Sequence, residues 1–335
     1  NGNYKPLPFD FTRASSATVV NKAGLIETVQ SGTPRIDFLG NTNGALLLEP
    51  QRTNLITQSE AFGNSYWTKS GATIQGDPST AGSELVTNGD FATDTDWTKG
   101  TGWTIGGGVA SSDGTQAGTS ALYQDCGIVL GKQYQVVYDV TSYTAGSVRI
   151  YLGGTSTGAV SRSATGTYTQ QFSALGNQWV TIEADVNFIG SVDNVSVKEV
   201  QGFASPSADS PTNAFKLVEG TNTGGHYILN SPISSLSGDI SNSVFAKKGE
   251  RNWIRLTNNN VVGAYFNLES GIIGTVDSGF TANIQNYGNG WYRCSIFKNR
   301  ATAATERFIA YTSVDGTSTS YTGDGTSGLY IYGAQ

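Results

Sequence analysis

Aromatic side chains are the residues of this sequence best suited to bind a ligand, because groups that do acid–base or metal chemistry are sparse. The chain of 335 residues has six tryptophans but a single histidine, His226. Any catalytic triad or histidine-bound metal would therefore depend on that one residue. The sequence contains no GxSxG, HExxH or phosphate-loop pattern. We predict that the protein is not an enzyme; the open alternative is a glycosidase-like pair among its 26 acidic residues.

Sugar-binding surfaces combine flat aromatic rings, which stack on pyranose faces, with amide, carboxylate and guanidinium groups that bind hydroxyls. Trp67 and Trp97 stand at matching positions of an internal repeat, which favours one tryptophan in each of two cores. Trp103 has no counterpart in the repeat and is the better candidate for an exposed ring. Two tyrosines and an arginine could line a groove, although ordinary strand surface is the alternative for them. The candidate carbohydrate-binding residues are Trp103, Tyr143, Arg149 and Tyr151.

Strands must position these residues, because strand patterns fill the chain and no long helical stripe of apolar residues is found. Segments such as 133–140, 147–152 and 178–186 are rich in β-branched and aromatic residues and are separated by turn residues. Several alternate apolar and polar positions, as antiparallel sheets with one buried face do. Aromatic residues make up 11% and charged residues only 14%, which excludes disorder. The predicted fold class is all-β, with sandwiches or jelly rolls.

An internal repeat indicates how the sandwiches are arranged along the chain. The stretch 56–74 resembles 86–105. Farther along, 282–297 resembles 168–184, which aligns Trp291 with Trp179 and predicts that both are core residues. Because the first and last strands of a jelly roll are neighbours, one sandwich can be inserted into a surface loop of another. We predict two nested antiparallel β-sandwich domains and a small N-terminal β segment for packing or assembly. These are the N-terminal segment at 1–55, the outer sandwich at 56–82 and 201–335, and the inserted inner jelly roll at 83–200.

The charge of the chain restricts its partners. Net charge is −6 and the densest basic cluster is the pair Lys247–Lys248, so the concentrated positive footprint of a nucleic-acid-binding protein is missing. No apolar run reaches membrane-spanning length, and we predict no membrane insertion. Cys126 and Cys294 stand outside any CxxC pair, which leaves a zinc site unsupported. A disulfide between them is disfavoured if they belong to different domains, as predicted.

Four long strings outside the inner region resemble a phage head-spike or fibre module of viral structural proteins. They are FTRASSATVVNKAGLIETV (11–29), GALLLEPQRTNLITQSEAF (44–62), FAKKGERNWIRL (245–256) and SYTGDGTSGLYIYGAQ (320–335). The resemblance covers the N-terminal segment and the outer sandwich, about two thirds of the chain. It implies a place on the virion surface, other virion proteins as partners and, by analogy with phage fibres, a homotrimer.

The inner region resembles the jelly-roll carbohydrate-binding modules of the family 4, 9 and 22 type. LVTNGDF (85–91) with the following Trp97 matches their opening, and VDNVSV (192–197) matches their closing strand. The resemblance implies carbohydrate binding and a structural calcium ion, for which Asp90 and Asp193 are the matching ligands. The sequence departs from the family at Ala92, where glutamate is usual.

Together the two resemblances predict a non-enzymatic phage surface protein, as a head fibre or spike, tail fibre or decoration. It would bind host-surface or environmental carbohydrate, and many copies on one particle would compensate for weak single sites. We expect an extracellular or virion-surface location and no cofactor other than calcium. One alternative is an accessory carbohydrate-binding region of a secreted polysaccharide-degrading enzyme. Another is a purely structural capsid decoration protein.

Overall fold

The computed structural model describes residues 11–49, 53–259 and 261–335. Within these ranges the regular structure consists of strands, apart from one 3-10 turn at Pro78–Thr80. The strands pair antiparallel in several sheets, so the predicted all-β fold class is confirmed. In the part of the chain described, no helix is long and apolar enough to span a membrane.

The N-terminal segment forms two small hairpins that pack on the rest of the chain. Its apolar side chains are too few for a core of their own. Val20 and Ile26 are instead buried together with Phe245, Trp291 and Tyr332 of a later sheet. The four strands of the segment are β1 (Ala17–Val20), β2 (Ile26–Val29), β3 (Ile36–Asp37) and β4 (Ala45–Leu46).

The inner sandwich follows two strands of the outer one, β5 (Trp67–Ser70) and β6 (Ala72–Gln75). Its two sheets face each other across one apolar core. Its strands are β7 (Thr98–Lys99), β8 (Trp103–Gly106), β9 (Val109–Asp113), β10 (Ser120–Ile128), β11 (Gln133–Ala145), β12 (Val148–Leu152), β13 (Gly166–Ser173), β14 (Gln178–Ala184) and β15 (Ile189–Val200). The four-stranded sheet has the order β12-β14-β10-β7, and the five-stranded sheet has the order β13-β11-β15-β9-β8.

The outer sandwich is completed by the rest of the chain. Its strands are β16 (Phe215–Glu219), β17 (Thr223–Gly225), β18 (Tyr227–Asn230), β19 (Ile233–Lys248), β20 (Trp253–Thr257), β21 (Gly263–Asn267), β22 (Ile272–Val276), β23 (Thr281–Asn286), β24 (Trp291–Glu306), β25 (Ile309–Ser313), β26 (Ser320–Thr322) and β27 (Gly328–Tyr332). One sheet has the order β23-β24-β19-β27-β16-β6 and the other β22-β21-β20-β25-β18-β5. A second apolar core lies between them.

The two sandwiches share one strand order. The inner run β12-β14-β10-β7 corresponds to the outer run β20-β25-β18-β5, and the inner run β11-β15-β9-β8 corresponds to β19-β27-β16-β6. The inner strands all lie between β6 and β16 of the outer sandwich in chain order. This topology has the nested form that the repeat predicts, whereas the predicted domain boundaries stay a prediction.

The paired tryptophans Trp67 and Trp97 are buried in the two cores, as the repeat suggests. Each indole Nε1 donates to a main-chain carbonyl nine residues earlier: Gln58 at 2.8 Å for Trp67, and Asn88 at 3.0 Å for Trp97. The indole N–H groups therefore have hydrogen-bond partners inside apolar surroundings, so their burial does not carry the free-energy cost of an unsatisfied donor.

The predicted match of Trp291 with Trp179 is wrong. Trp291 begins β24 and Trp179 lies in β14, and these strands belong to sheets that do not correspond. Trp291 is buried under the N-terminal segment, whereas Trp179 is only half-buried. A turn followed by a tryptophan opens both strands, but non-local pairing decides the sheet in which each strand lies.

The outer sandwich contacts the five-stranded sheet of the inner one. Gly76 N donates to Gln171 Oε1 at 2.8 Å, and Gln171 Nε2 donates to Gly76 O at 3.2 Å. At the two junctions, Asp77 N donates to Gln201 O at 2.8 Å. These contacts occupy part of the five-stranded sheet, and the four-stranded sheet lies on the opposite side of the inner core.

Candidate functional site

The outward face of the four-stranded inner sheet carries a group of aromatic and charged side chains. In β12, Val148, Ile150 and Leu152 are buried in the core. Because neighbouring side chains of a strand point to opposite faces, Arg149 and Tyr151 point outward, and both are partly exposed. We call this surface the open face.

Strand pairing places the side chains of the open face in rows across the sheet. Arg149 is opposite Glu183 of β14. One step along, Tyr151 is opposite Thr181, which in turn is opposite Tyr123 of β10. Trp179 follows on β14.

The rings of Tyr123 and Trp179 meet edge to face, with centroids 5.4 Å apart and an interplanar angle of 82°. Tyr123, Tyr151 and Trp179 are all half-buried. We call these three residues the aromatic strip. Because these rings lie on the outward face of the sheet, part of their apolar surface stays accessible to solvent.

An ion pair between Arg149 and Glu183 lies beside the aromatic strip and fixes the position of the arginine side chain. Arg149 Nε donates to Glu183 Oε1 at 2.8 Å, and Arg149 Nη2 donates to the same oxygen. The other oxygen, Glu183 Oε2, accepts from the Tyr151 hydroxyl at 3.1 Å. Burial, followed by the negative charge of Glu183, raises the pKa of Tyr151. The hydroxyl therefore stays protonated and keeps donating at neutral pH.

A polar depression adjoins the ion pair at one end of the strip. Its volume is about 160 Å³, and its lining side chains are all polar. Asp185 Oδ2 accepts from the Ser147 hydroxyl at 2.6 Å. Arg162 exchanges two main-chain hydrogen bonds with Val148, which places the neighbouring Ser161 beside β12. The lining residues are Thr119, Ser147, Arg149, Ser161, Glu183 and Asp185.

The hairpin between β11 and β12 leads the chain from the five-stranded sheet into the four-stranded sheet. It separates Tyr143 on β11 from Arg149 and Tyr151 on β12. Gly146 turns the chain with φ +71°, and a Cβ there would lie 2.3 Å from Phe188 N, so only glycine fits. Tyr143 is on β11, in the other sheet, and its hydroxyl donates to Gly146 O at 3.1 Å. The structure therefore brings Arg149 and Tyr151 together and leaves Tyr143 apart.

The expectation that Trp103 is exposed is wrong. Trp103 is 5% exposed, because it shares the inward side of β8 with Ile105. Its Nε1 donates to Ser120 O at 3.2 Å, and its ring packs against Phe188. A ring held in this way cannot stack on a sugar.

Trp179 and Tyr123 of the open face are absent from the candidate binding residues that the sequence predicts. A signal for Trp179 was present: in QWVTIEA (178–184) the tryptophan alternates with apolar residues and shares its face with Thr181 and Glu183. Polar neighbours on the same face of a strand indicate an outward position.

The two predicted calcium ligands lie on adjacent segments. Val195 N donates to Gly89 O at 2.8 Å, which places the segments of Asp90 and Asp193 side by side. Each carboxylate accepts a nearby main-chain N–H, from Ala92 and Asn194 respectively. Among the described residues there is no group of three or more His, Cys, Asp or Glu side chains that could hold a metal ion. Calcium takes roughly six to eight oxygen ligands, so these two carboxylates alone do not fit it, and calcium binding stays a prediction.

His226 is fully buried in the outer sandwich. Its Nε2 lies 3.1 Å from the carbonyl oxygen of Tyr321, and its Nδ1 contacts the carbonyl oxygen of Gly71. Both ring nitrogens therefore have structural partners. Cys126 and Cys294 are both free, and burial raises the pKa of the Cys126 thiol to about 11, so it is a poor nucleophile at neutral pH. The absence of enzymatic activity stays a prediction.

Comparisons with known proteins give no family assignment. No family model matches the chain, and no curated protein matches it. Among solved structures, the chain is similar to the N-terminal tandem CBM22-1-CBM22-2 domain of Paenibacillus barcinonensis Xyn10C. The identity is 10% and the TM-score 0.32, over 77% of this chain and 98% of that chain. A TM-score this low carries no argument about fold or function.

Proposed function

We propose that this chain is a carbohydrate-binding protein whose ligand lies along the open face of the inner sandwich. One observation supports the proposal above all: three half-buried aromatic rings share one outward sheet face with an ordered arginine–glutamate pair and a polar depression. Such a mixture suits a sugar, because pyranose rings have apolar faces and polar edges.

The aromatic strip and the depression have different roles in this proposal. Tyr123, Tyr151 and Trp179 supply apolar surface for ring stacking. Arg149 keeps N–H groups that Glu183 does not use, and these can donate to sugar hydroxyls. The hydroxyls and carboxylates that line the depression can accept from, or donate to, further hydroxyls at one end of the chain.

Charge selects the class of sugar. Arg149 supplies a positive charge on the open face, and it is already paired with Glu183. Asp185 in the depression and the exposed Asp125 beside Trp179 add negative charge. A uronic acid or a sulfated sugar would find no unpaired cation among these groups, so the proposed ligand is a neutral saccharide.

A glycan array tests the proposal. It should contain neutral oligosaccharides of xylan, cellulose, mannan and chitin beside oligogalacturonate and heparin. We expect binding of a neutral glycan, strong loss of that binding in Trp179→Ala, and no loss in Phe297→Ala. Phe297 is a matched control, since it is an exposed aromatic residue of the outer sandwich. Absence of binding to every glycan, or equal binding by both variants, would refute the proposal.

We further propose that the chain is part of a phage virion, as a homotrimeric fibre, spike or decoration protein. It rests on the sequence strings of the N-terminal segment and the outer sandwich. Sedimentation equilibrium of the whole chain tests the trimer. A monomer at all accessible concentrations would contradict the proposed homotrimer. The accessory region of a polysaccharide-degrading enzyme uses the same open face, so the array does not separate it from the virion role.

A further inference from the structure

The outer sandwich has its own counterpart of the open face. By strand order, β20, β25, β18 and β5 correspond to the four strands that form the open face of the inner sandwich. The other outer sheet carries the N-terminal segment on Phe245, Trp291 and Tyr332. The sheet that matches the open face therefore lies on the side of the core away from this segment.

One row across this second sheet joins an arginine to two stacked tyrosines. Arg255 of β20 is opposite Tyr311 of β25, and Tyr311 is opposite Tyr227 of β18. The two tyrosine rings have centroids 4.6 Å apart at an interplanar angle of 42°. Tyr311 is only 6% exposed, whereas Tyr227 is half-buried, so Tyr227 is the ring that a ligand can reach.

The arginine of this row is ordered in the same way as Arg149. Arg255 Nη2 donates to Asp277 Oδ2 at 2.7 Å. Its guanidinium lies 4.7 Å from the centroid of the Tyr265 ring. Both sandwiches thus carry a carboxylate-paired arginine and a partly exposed tyrosine on corresponding sheets, although in the outer sandwich the buried Tyr311 lies between them.

Trp253 shows where the second face ends. It is the residue of β20 two positions before Arg255, and it is half-buried. Gly316, with φ +72°, lies so close to its indole that a Cβ would be 2.6 Å from the ring. The main chain therefore covers this indole face, and Trp253 is not a stacking surface.

We propose that the outer sandwich carries a second carbohydrate-binding face, centred on Tyr227 and Arg255, for a neutral saccharide of the same class. This inference rests on the proposed function, since it carries the chemistry of the open face over to the corresponding sheet. With two faces on one chain, a single long polysaccharide could bind at both. The second contact would then be intramolecular, and its high effective concentration would raise the overall affinity.

Isothermal titration with xylohexaose, cellohexaose and chitohexaose tests the second face. For a hexasaccharide that binds, we expect a stoichiometry of about two per chain. Trp179→Ala should leave the Tyr227 face active, and Tyr227→Ala should leave the open face active. The double variant should lose at least about tenfold in affinity relative to either single variant. Tyr227→Phe keeps the ring and should bind like the wild type.

The outcomes separate the two proposals. A single site that Trp179→Ala removes and Tyr227→Ala leaves intact overturns the second face and keeps the proposed function. No binding of any of the three probes to the wild type overturns both. Circular dichroism checks that Tyr227→Ala is folded, because Tyr227 packs on Tyr311. If it is not folded, Arg255→Gln takes its place, and unchanged stoichiometry in that variant counts against the second face.

Discussion

The inner and outer sandwiches share a strand order but differ in the polar groups that they bury. The buried polar residues of the inner sandwich are all neutral, as Gln124 and Ser112 are. The outer sandwich buries Glu219, His226 and Glu306 as well. One topology is therefore stabilised with internal charge in one sandwich and without it in the other, so the two sandwiches should respond differently to mutation and to pH.

Glu219 is the centre of the charged network in the outer sandwich. Arg251 Nε donates to its Oε2 at 2.7 Å, and the Tyr321 hydroxyl donates to the same oxygen at 2.7 Å. Asp324 N donates to the other oxygen at 3.0 Å. The carboxylate is thereby fully hydrogen-bonded, and it ties β16 to the loop after β26 at one end of the sandwich.

The largest expected effect is that of Glu219→Gln. It leaves Arg251 with only the more distant carboxylate of Asp324, whose Oδ2 lies 3.6 Å from Arg251 Nη2, and we expect the free energy of unfolding of the outer sandwich to fall by about 3 kcal/mol. Urea denaturation followed by circular dichroism measures this. The matched inner variant is Gln124→Ala, which removes hydrogen bonds to Thr87 and Asp96 but no charge, and should cost about 1–2 kcal/mol. An equal or larger cost for Gln124→Ala would show that the buried charge of the outer sandwich contributes no more to stability than a neutral hydrogen-bonding residue of the inner one.

The same residue makes the outer sandwich sensitive to acid. Burial tends to raise the pKa of Glu219, but the hydrogen bonds from Arg251, Tyr321 and Asp324 N outweigh it, so the pKa is lowered. A lowered pKa gives stability that is present above the pKa of the unfolded chain, about 4.3. That stability is lost as the pH falls through the pKa of the folded state.

Thermal denaturation at a series of pH values checks this effect. The difference in melting temperature between wild type and Glu219→Gln should be constant near neutral pH and shrink below about pH 4. A difference that stays constant down to the lowest pH at which the wild type folds would show that the charge of Glu219 is not its source.

Binding gives the next effect in size. Trp179→Ala should weaken binding of a neutral hexasaccharide at the open face by about 2 kcal/mol, or about 30-fold in Kd, because the largest ring of the aromatic strip is removed. Tyr227→Ala should leave this affinity unchanged, since Tyr227 lies on the other sandwich. Titration of the two variants in parallel measures both values, and a larger loss in Tyr227→Ala would move the principal site to the outer sandwich.

The smallest expected effect is that of a chelator. Asp90 and Asp193 belong to no group of three or more His, Cys, Asp or Glu side chains that could hold a metal ion among the described residues. We therefore expect EDTA to change the melting temperature of the inner sandwich by no more than the error of the measurement. A clear drop, restored by added calcium, would show a cation stabilising the inner sandwich, with main-chain or amide oxygens as its further ligands.

The all-β class could be predicted from the sequence because alternation and turn residues are local signals. The buried tryptophans Trp67 and Trp97 could also be predicted, since they recur in a repeat. The outward position of Arg149 and Tyr151 follows from alternation within β12.

The exposure of the other aromatic residues could not be read so directly. Trp103 lacks a repeat partner, yet it is buried, because it lies on the inward side of β8 and joins the inner core together with Ile105. Trp179 was matched to Trp291 by similar turns, although sheet membership depends on pairing with distant strands. Local sequence signals therefore identified part of the open face, and tertiary pairing was needed to complete the aromatic strip.

Hydroxyl-radical footprinting of the wild type, with and without a bound neutral hexasaccharide, tests whether the sugar lies on the open face. It needs no variant, and it reports the solvent access of every aromatic side chain at once. We predict that the sugar protects Tyr123, Tyr151 and Trp179 while Phe297 stays equally reactive. Saturating sugar that leaves these three residues as reactive as before would contradict the assignment of the ligand to the open face.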